Sequence, residues 1–161
     1  MRLDKRIAIV SGAAGGIGEG IAKAYASEGA KVLACDLNEE GAAETAKEIN
    51  QNGGIASSCH IDITDSGAVK TMIAEYVSEH GKLDIIANVA GTGQRHSFLE
   101  AKVEEFDRVM QVNLMGTFIC AQAAAREMVK QGYGRIVNIA SIAGTRAGSG
   151  RTAYGTSKSA V

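Results

Sequence analysis

The chain has 161 residues, of which 45% are hydrophobic and 22% charged, and its 17 basic and 18 acidic residues give a net charge of −1. This composition is typical of one folded domain and excludes disordered, collagen-like and disulfide-stapled proteins. The near-neutral charge argues against a nucleic-acid partner, and no stretch reaches the roughly 18 apolar residues that a membrane-spanning helix needs. No apolar leader precedes the first strand pattern, so we expect a cytoplasmic protein without a nucleic-acid or membrane partner.

Strand and helix patterns alternate along the chain. The first strand, residues 7–10, is a β-branched run that ends in a glycine-rich turn, and the second strand covers residues 31–36. Between them, residues 18–28 carry apolar side chains at helical spacing and stop at Gly29, which favours a helix C-terminus. The same patterns predict helices at 38–51, 65–80, 103–112, 114–131 and 153–161, and strands at 55–61, 83–87 and 135–140.

This alternation with short links predicts an α/β fold, a doubly wound parallel sheet covered by helices on both faces. No internal repeat or linker composition divides the chain, so we expect residues 1–161 to form a single domain. The last helical pattern, 153–161, has no C-terminal capping signal, and we therefore expect a domain that is incomplete at its C-terminus.

The cysteines and histidines are too scattered to indicate a metal site. Cys35, Cys59 and Cys120 match neither a C-x-x-C pair nor a zinc spacing, and the three histidines form no cluster in sequence. We expect three reduced, buried thiols and no bound metal.

A glycine-rich turn joins the first strand to the first helix. Gly12, Gly16 and Gly18 follow the pattern G-x-x-x-G-x-G, which lets the backbone turn tightly and brings a ligand to the amides of a helix N-terminus. No Gly-Lys-Ser/Thr follows, so a mononucleotide P-loop is excluded and a dinucleotide pyrophosphate is favoured. A tight connection without a ligand is the alternative.

An acidic residue, Asp36, ends the second strand. A carboxylate at this position can accept hydrogen bonds from both adenosine ribose hydroxyls and repels a 2′-phosphate. No cationic side chain offsets it, since Ala13 and Ala14 occupy the turn and Leu37 follows. We predict NAD rather than NADP as the cofactor.

A phenol and an ammonium group lie four residues apart on the last predicted helix, at Tyr154 and Lys158, and therefore on one face. Ser141 follows the fifth strand, at the sheet edge where ligands bind in open parallel sheets. A nearby ammonium group and an oxidised nicotinamide both favour the phenolate, so Tyr154 can accept a hydroxyl proton. The alternative is an ordinary pair on a solvated helix face.

These motifs occur in one order, and together they resemble the short-chain dehydrogenase/reductase family over the whole chain. The motifs are the glycine-rich turn, Asn88-Val89-Ala90-Gly91, Ser141 and Tyr154-x-x-x-Lys158. The resemblance implies a Rossmann-type sheet with strand order 3-2-1-4-5. Members continue with two more strands, a substrate-binding loop and most of the subunit interface, so we expect those C-terminal strands to be missing here and the full-length form to be a homo-oligomer, a dimer or a tetramer.

The resemblance also implies roles for individual residues. Tyr154 would be the catalytic acid/base, Lys158 would lower its pKa and hold the nicotinamide ribose, Ser141 would position the substrate, and Asn113 would support a proton-relay water. The Ile17 backbone would contact the pyrophosphate, and Asp62 and Ile63 would contact the adenine. Asn88, Ala90 and Gly91 would line the adenosine side of the cleft. Helix N-capping is the alternative for Asp62 and Asp65. Val89 departs from the family, which commonly has a second asparagine there.

The function expected from this set is an NAD-dependent oxidoreductase that interconverts a secondary alcohol, of the polyol, sugar or hydroxy-acid type, and a ketone. Two alternatives stay open, namely a 3-oxoacyl-acyl-carrier-protein reductase and a non-catalytic dinucleotide-binding fragment. Gln94, Arg95 and His96 follow the Asn88 motif; a solvated loop is the preferred interpretation for them, and a place at the border of the substrate cleft is the alternative. Arg146 and Arg151 pose the same choice and receive no role.

Overall fold

A five-stranded parallel sheet forms the centre of the computed structural model, which describes residues 1–146 and 148–161. Its strands are β1 (Ile7–Ser11), β2 (Lys31–Asp36), β3 (Ile55–His60), β4 (Ile85–Asn88) and β5 (Arg135–Asn138). The spatial order is β3-β2-β1-β4-β5, and every neighbouring pair is parallel. The predicted doubly wound fold and its strand order 3-2-1-4-5 are confirmed.

Helices connect the strands and cover both faces of the sheet. They are α1 (Gly16–Ser27), α2 (Glu39–Gln51), α3 (Ser66–His80), α4 (Val103–Met110), α5 (Thr117–Lys130) and α6 (Thr152–Ala160), with a short 3-10 helix at Ile142–Gly144. Local sequence signals set several ends: the Asp65 side chain accepts from the backbone N–H groups of Gly67 and Ala68 to cap α3, and Gly81, with φ +77°, ends that helix.

The segment from 103 to 131 differs from the prediction of two helices separated at Asn113. Here α4 continues into α5 through a π-helical segment, Gln111–Gly116, without a break. Asn113 and Gly116 have weak helix propensity, but both are fixed by tertiary contacts. Asn113 is buried and hydrogen-bonded through its side chain, and a Cβ on Gly116 would lie 2.7 Å from Cγ1 of Ile63.

Alternating side chains of the buried strands form a core on each side of the sheet. On one side, Ile9 and Leu33 belong to a cluster with Ile73 of α3. On the other, Val10 and Val32 pack in a cluster with the small residues of α1. Because both faces are covered, the inner positions of β1 and β2 are apolar on both sides of the sheet, as expected for buried parallel strands.

A buried carboxylate joins elements at the amino-terminal edge of the sheet. Asp84 is 2% exposed, and its two oxygens accept hydrogen bonds from Arg6 Nη1 at 2.7 Å and from the Ile7 backbone N–H at 2.9 Å. Lys82 Nζ lies 2.8 Å from Oδ2. Burial alone would raise the pKa of Asp84, but the hydrogen bonds from Lys82, Ile7 and Arg6 outweigh it and hold that pKa below its ordinary value.

The cysteine prediction is partly wrong. All three thiols are free, and Cys35 and Cys120 are buried, but Cys59 is only partly buried because β3 is an edge strand. Cys59 is the register partner of Cys35 on β2. The neighbouring Cys35 thiol lowers the pKa of Cys59 to about 7, whereas the pKa of Cys35 is raised well above its ordinary value by the proximity of Cys59 and by burial.

We therefore expect alkylation of the folded chain to select Cys59. Its rate should rise with a midpoint near pH 7, because the thiolate is the nucleophile. Burial raises the pKa of Cys120 to about 12, so this thiol should stay unmodified. Iodoacetamide labelling followed by peptide mass spectrometry measures each site, with Cys59→Ser as the control. Labelling of Cys35 or Cys120 as fast as Cys59 would contradict the account.

Candidate active site

A cleft of about 710 Å³ lies along the carboxyl ends of the strands and brings most of the predicted site residues together. This is the edge where open parallel sheets bind ligands. The predicted residues that line it are Gly12, Ile17, Gly18, Asp36, Asp62, Ile63, Ala90, Gly91, Ser141, Tyr154 and Lys158. Gly16, Asn88 and Asn113 are not in its lining.

The glycine-rich turn is shaped by close backbone approaches. Gly12 has φ +73°, and a Cβ there would lie 2.6 Å from the backbone nitrogen of Ala90. A Cβ on Gly18 would overlap the carbonyl oxygen of Gly12. No side chain caps the N-terminus of α1 in the described part of the chain, so the first-turn amides are available to a phosphate group at the cleft. Ile17, in that turn, is 65% exposed.

Asp36 is fixed at the end of β2 by two backbone amides. Its Oδ2 accepts from the Ala14 N–H at 3.0 Å, and its Oδ1 accepts from the Asn38 N–H at 2.9 Å. A carboxylate has about four acceptor sites, so each oxygen can still accept a bond from a ribose hydroxyl. The sequence placed Asp36 at the cleft but did not reveal that the turn itself orients the carboxylate.

Asp62 and Ile63 follow β3 and line the same cleft. Oδ1 of Asp62 accepts from the backbone N–H of Thr64 at 2.9 Å and from its hydroxyl at 2.7 Å, and these bonds lower the pKa of Asp62. The side chain of Ile63 is buried against Gly116. Asp65 only caps α3, as the alternative reading expected.

Asn88 lies beneath the wall of the cleft and joins two strands. Its Nδ2 donates to Oδ1 of Asn138 on β5 at 2.9 Å, while its own Oδ1 is buried without a hydrogen-bond partner among the described residues. Beside it, the Ser11 hydroxyl oxygen accepts from the backbone N–H groups of Val89 and Ala90, at 3.2 and 3.4 Å. These bonds set the position of the loop that carries Ala90 and Gly91.

Asn113 is fully buried in the π-helical segment and joins the loop after β4 to α6. Its Oδ1 accepts from the Thr92 N–H at 2.7 Å, and its Nδ2 donates to the Thr92 carbonyl and to Ser157 Oγ, both at 2.9 Å. The side chain of Asn113 therefore positions two walls of the cleft without reaching into it.

A phenol, an ammonium group and a hydroxyl group all line the cleft; they belong to Tyr154, Lys158 and Ser141. Lys158 is 6% exposed, donates to the Ile139 carbonyl at 2.7 Å, and has a pKa lowered by burial. Oγ of Ser141 accepts from the Ala143 N–H at 3.2 Å. Tyr154 is half-buried on the same helix as Lys158 and lines the cleft with both. This set can exchange a proton with a ligand hydroxyl or carbonyl.

The interpretation of Gln94 as part of a solvated loop is wrong. Gln94 is 7% exposed, and its Oε1 accepts from the Ala153 N–H at the start of α6, at 3.4 Å. Arg95 and His96 are exposed as expected, and so are Arg146 and Arg151. The position of Gln94 just after the Asn88 motif was the only sequence signal, since no periodicity marks an irregular loop.

Comparison with known proteins gives the family. The family model described as short chain dehydrogenase matches residues 6–161. The chain belongs to this family. It is 39% identical over 160 residues to D-threitol dehydrogenase of Mycolicibacterium smegmatis, covering 99% of this chain and 62% of that protein. It is 34% identical over 161 residues to a 3-oxoacyl-acyl-carrier-protein reductase of Thermotoga maritima, covering 100% of this chain and 65% of that protein.

Solved structures of the family have the same fold. An NAD+-bound xylitol dehydrogenase superposes with a TM-score of 0.96 at 34% identity, over 99% of this chain and 62% of that one. A 7α-hydroxysteroid dehydrogenase in complex with NADH and 7-oxo glycochenodeoxycholic acid gives a TM-score of 0.93 at 37% identity. The match covers 99% of this chain and 62% of that one. These neighbours support a nicotinamide dinucleotide as the cofactor of the family fold.

The chain thus spans about three fifths of the length of the D-threitol dehydrogenase that it matches. Among the described residues, no helix is both long and apolar enough to cross a membrane. The same residues contain no group of three or more metal-ligating side chains.

Proposed function

We propose that residues 1–161 form one NAD-binding domain of an oxidoreductase that interconverts a secondary alcohol and a ketone. One observation carries the proposal: the glycine-rich turn, Asp36 and the Ser141, Tyr154 and Lys158 set all line one cleft. The proposed substrate is of the polyol, sugar or hydroxy-acid type, and the names of a D-threitol and a xylitol dehydrogenase among the similar proteins support the polyol part of this range. Incubation with NAD+ and threitol, xylitol or sorbitol, followed by NADH absorbance, tests the activity.

The residues of the chain supply binding and proton transfer. The amides of the α1 first turn would hold the pyrophosphate, and Asp36 the adenosine ribose. The nicotinamide ring, when bound, supplies the hydride acceptor. Tyr154 accepts the proton of the substrate hydroxyl, and the ammonium group of Lys158 favours the phenolate. The Ser141 hydroxyl bonds the substrate oxygen and holds it near Tyr154.

Asp36 is proposed to select NAD over NADP through charge. The Asp36→Asn variant should bind NADH about 10- to 100-fold more weakly, since a hydrogen bond to a charged group is lost, and should no longer reject NADPH. Calorimetric titration with both nucleotides measures this, and Glu40→Gln, an exposed acid on α2 outside the cleft, is the matched control. Equal binding of NADH and NADPH by the unchanged protein would refute this selection.

Lys158 is proposed to destabilise the fold through its buried charge and to support catalysis with the same ammonium group. Its lowered pKa means that the folded chain binds this proton less tightly than the unfolded chain, so the charged form destabilises the fold at neutral pH. The Lys158→Met variant should melt at the same or a higher temperature and lose turnover by about 100-fold or more. Lys130→Met, at an exposed helical lysine, is the control. Turnover within about threefold of the unchanged protein contradicts the catalytic role of Lys158.

Two other functions are distinguished by simple assays. The similarity to the 3-oxoacyl-acyl-carrier-protein reductase of Thermotoga maritima supports a 3-oxoacyl thioester reductase as one alternative. Reduction of an acetoacetyl thioester with NADPH would identify this activity. Asp36 argues against that alternative, because a carboxylate there repels the 2′-phosphate of NADPH. A non-catalytic dinucleotide-binding fragment would bind NADH and turn over no alcohol or ketone.

The homo-oligomer and the cytoplasmic location stay predictions. Light scattering of the full-length form would distinguish a monomer from the expected dimer or tetramer.

A further inference from the structure

A second cavity adjoins the cofactor-sized cleft and shares Tyr154 with it. The cavity has a volume of about 450 Å³, and its other lining residues are Gly93, Gln94, Arg95 and Arg151. It therefore combines the proposed acid/base with two guanidinium groups and has no carboxylate in its lining. A volume of this size suits a small ligand.

The two loops that carry the arginines are held against each other. The buried Gln94 accepts a hydrogen bond from the Ala153 N–H, two residues beyond Arg151. A Cβ on Gly150 would lie 3.3 Å from the carbonyl oxygen of His96, so the two backbones are in contact there. Arg95 and Arg151 are each adjacent to one of these contacts, which places both at the same cavity.

Both guanidinium groups lack an ion-pair partner in the part of the chain that the structure describes, residues 1–146 and 148–161. Two acids lie nearby. Glu100 lines a neighbouring cavity with both arginines and accepts from the Ser97 hydroxyl at 2.7 Å, and Oε1 of Glu105 lies 3.3 Å from Nε2 of His96. Because the net charge of the chain is −1, this positive cavity is a local feature of an otherwise balanced protein.

We propose that the substrate is a small hydroxy acid whose carboxylate binds Arg95 and Arg151 while its secondary hydroxyl faces Tyr154. This inference rests on the proposed function and narrows its substrate class from polyols, sugars and hydroxy acids to hydroxy acids alone. The planar guanidinium group matches a carboxylate in geometry and charge. In the oxidation, the hydroxyl proton passes to Tyr154 and the carbinol C–H bond breaks with both electrons, as a hydride, to NAD+; the products are the oxo acid and NADH.

Matched pairs of acid and neutral diol test the role of the carboxylate by kinetics. Lactate is compared with 1,2-propanediol, and 3-hydroxybutyrate with 1,3-butanediol. At least one acid should exceed its diol in kcat/KM by about tenfold or more, the effect of a charge-assisted hydrogen bond. In Arg151→Gln and Arg95→Gln, the KM for the acid should rise by about 10- to 100-fold, while the KM for the diol should change by less than about twofold.

Arg146→Gln is the matched control, because Arg146 is an exposed arginine of the same loop that does not line the cavity. In this variant the KM values for the acid and for the diol should both stay unchanged. An equal kcat/KM for acids and diols would overturn the inference. So would an equal loss of kcat/KM for both substrates in Arg151→Gln. Glycerol 3-phosphate distinguishes the anion: preference for it over glycerol, without preference for the acids, would show that the carboxylate assignment is wrong.

A binding measurement separates this inference from the proposed function. Pyruvate and acetoacetate are titrated by calorimetry into the chain with and without NADH. Binding that disappears in Arg151→Gln and persists in Tyr154→Phe supports the anion site, whether or not any alcohol is oxidised. Absence of oxo-acid binding, or unchanged binding in Arg151→Gln, overturns it, whereas absence of NADH binding contradicts only the proposed function.

Discussion

Replacing Tyr154 with Phe should lower the turnover of the alcohol by about 100- to 10,000-fold, the contribution of a positioned acid/base, and leave the affinity for NADH unchanged. The phenylalanine ring fills the same half-buried position on α6 but has no hydroxyl to exchange a proton. Lys158, whose Nζ donates to the Ile139 carbonyl, keeps its own hydrogen bond in the variant. The loss therefore falls on kcat, because cofactor contacts at the glycine turn and Asp36 remain.

The control for this prediction is Tyr25→Phe, since Tyr25 is a half-buried phenol on α1 outside the cleft. It should retain full turnover. NADH binding is measured by calorimetry, and turnover by NADH absorbance with the best alcohol of the panel. If Tyr154→Phe keeps more than about a tenth of the turnover, the proton is handled by another group and the assignment of Tyr154 fails.

Asp84→Asn should lower the free energy of unfolding by about 1.5 to 3 kcal/mol, the contribution of hydrogen bonds to a charged group. The Asp84 carboxylate is 2% exposed and joins Arg6, Ile7 and Lys82. Asparagine keeps one oxygen that can accept from the Ile7 N–H, but it loses the charge and places a donor NH2 group against Arg6 or Lys82, which are partly exposed and can turn to water. Because this site lies at the edge of the sheet opposite the cleft, the folded variant should still bind NADH.

The dependence of stability on pH gives a second readout for Asp84. Its pKa is lowered in the folded chain, so its stabilisation is complete above the ordinary aspartate pKa and is lost as the pH falls through the lower, folded value. Denaturant unfolding between neutral and acidic pH should show this loss in the unchanged protein and less of it in Asp84→Asn. Asp107→Asn, at an exposed site on α4, is the control. A difference under about 1 kcal/mol at neutral pH would contradict the role of Asp84.

The fold could be predicted from the sequence because its signals are local. The β-branched run of β1, the apolar spacing of α1 and the cap at Asp65 each depend on neighbours in sequence. The π-helical continuation through Asn113 could not be predicted in this way. The Asn113 side chain is held there by bonds to Thr92 and Ser157, which lie far from it in sequence and leave no local signal.

The same distinction between local signals and distant contacts applies to the candidate site. The placement of Gly12, Asp36 and Tyr154 at one cleft was predictable, because each lies at a strand end or on the last helix near that edge of the sheet, whereas their chemical roles stay predictions. The buried Gln94 and the second cavity were not, since an irregular loop has no periodicity and the Gln94 partner, Ala153, belongs to another element. Sequence patterns indicate which chemistry is present, while contacts between distant loops decide what surrounds it.

The most direct test of the central claim, that the cleft binds NAD, is a calorimetric titration of the 161-residue chain with NADH and, in parallel, with NADPH. A thermal melt of the same sample first verifies that the chain is folded. The account predicts saturable binding of one NADH per chain and binding of NADPH that is weaker by about 10-fold or more, because the Asp36 carboxylate repels the 2′-phosphate. A folded chain that binds no NADH, or that binds NADPH as tightly, would contradict it.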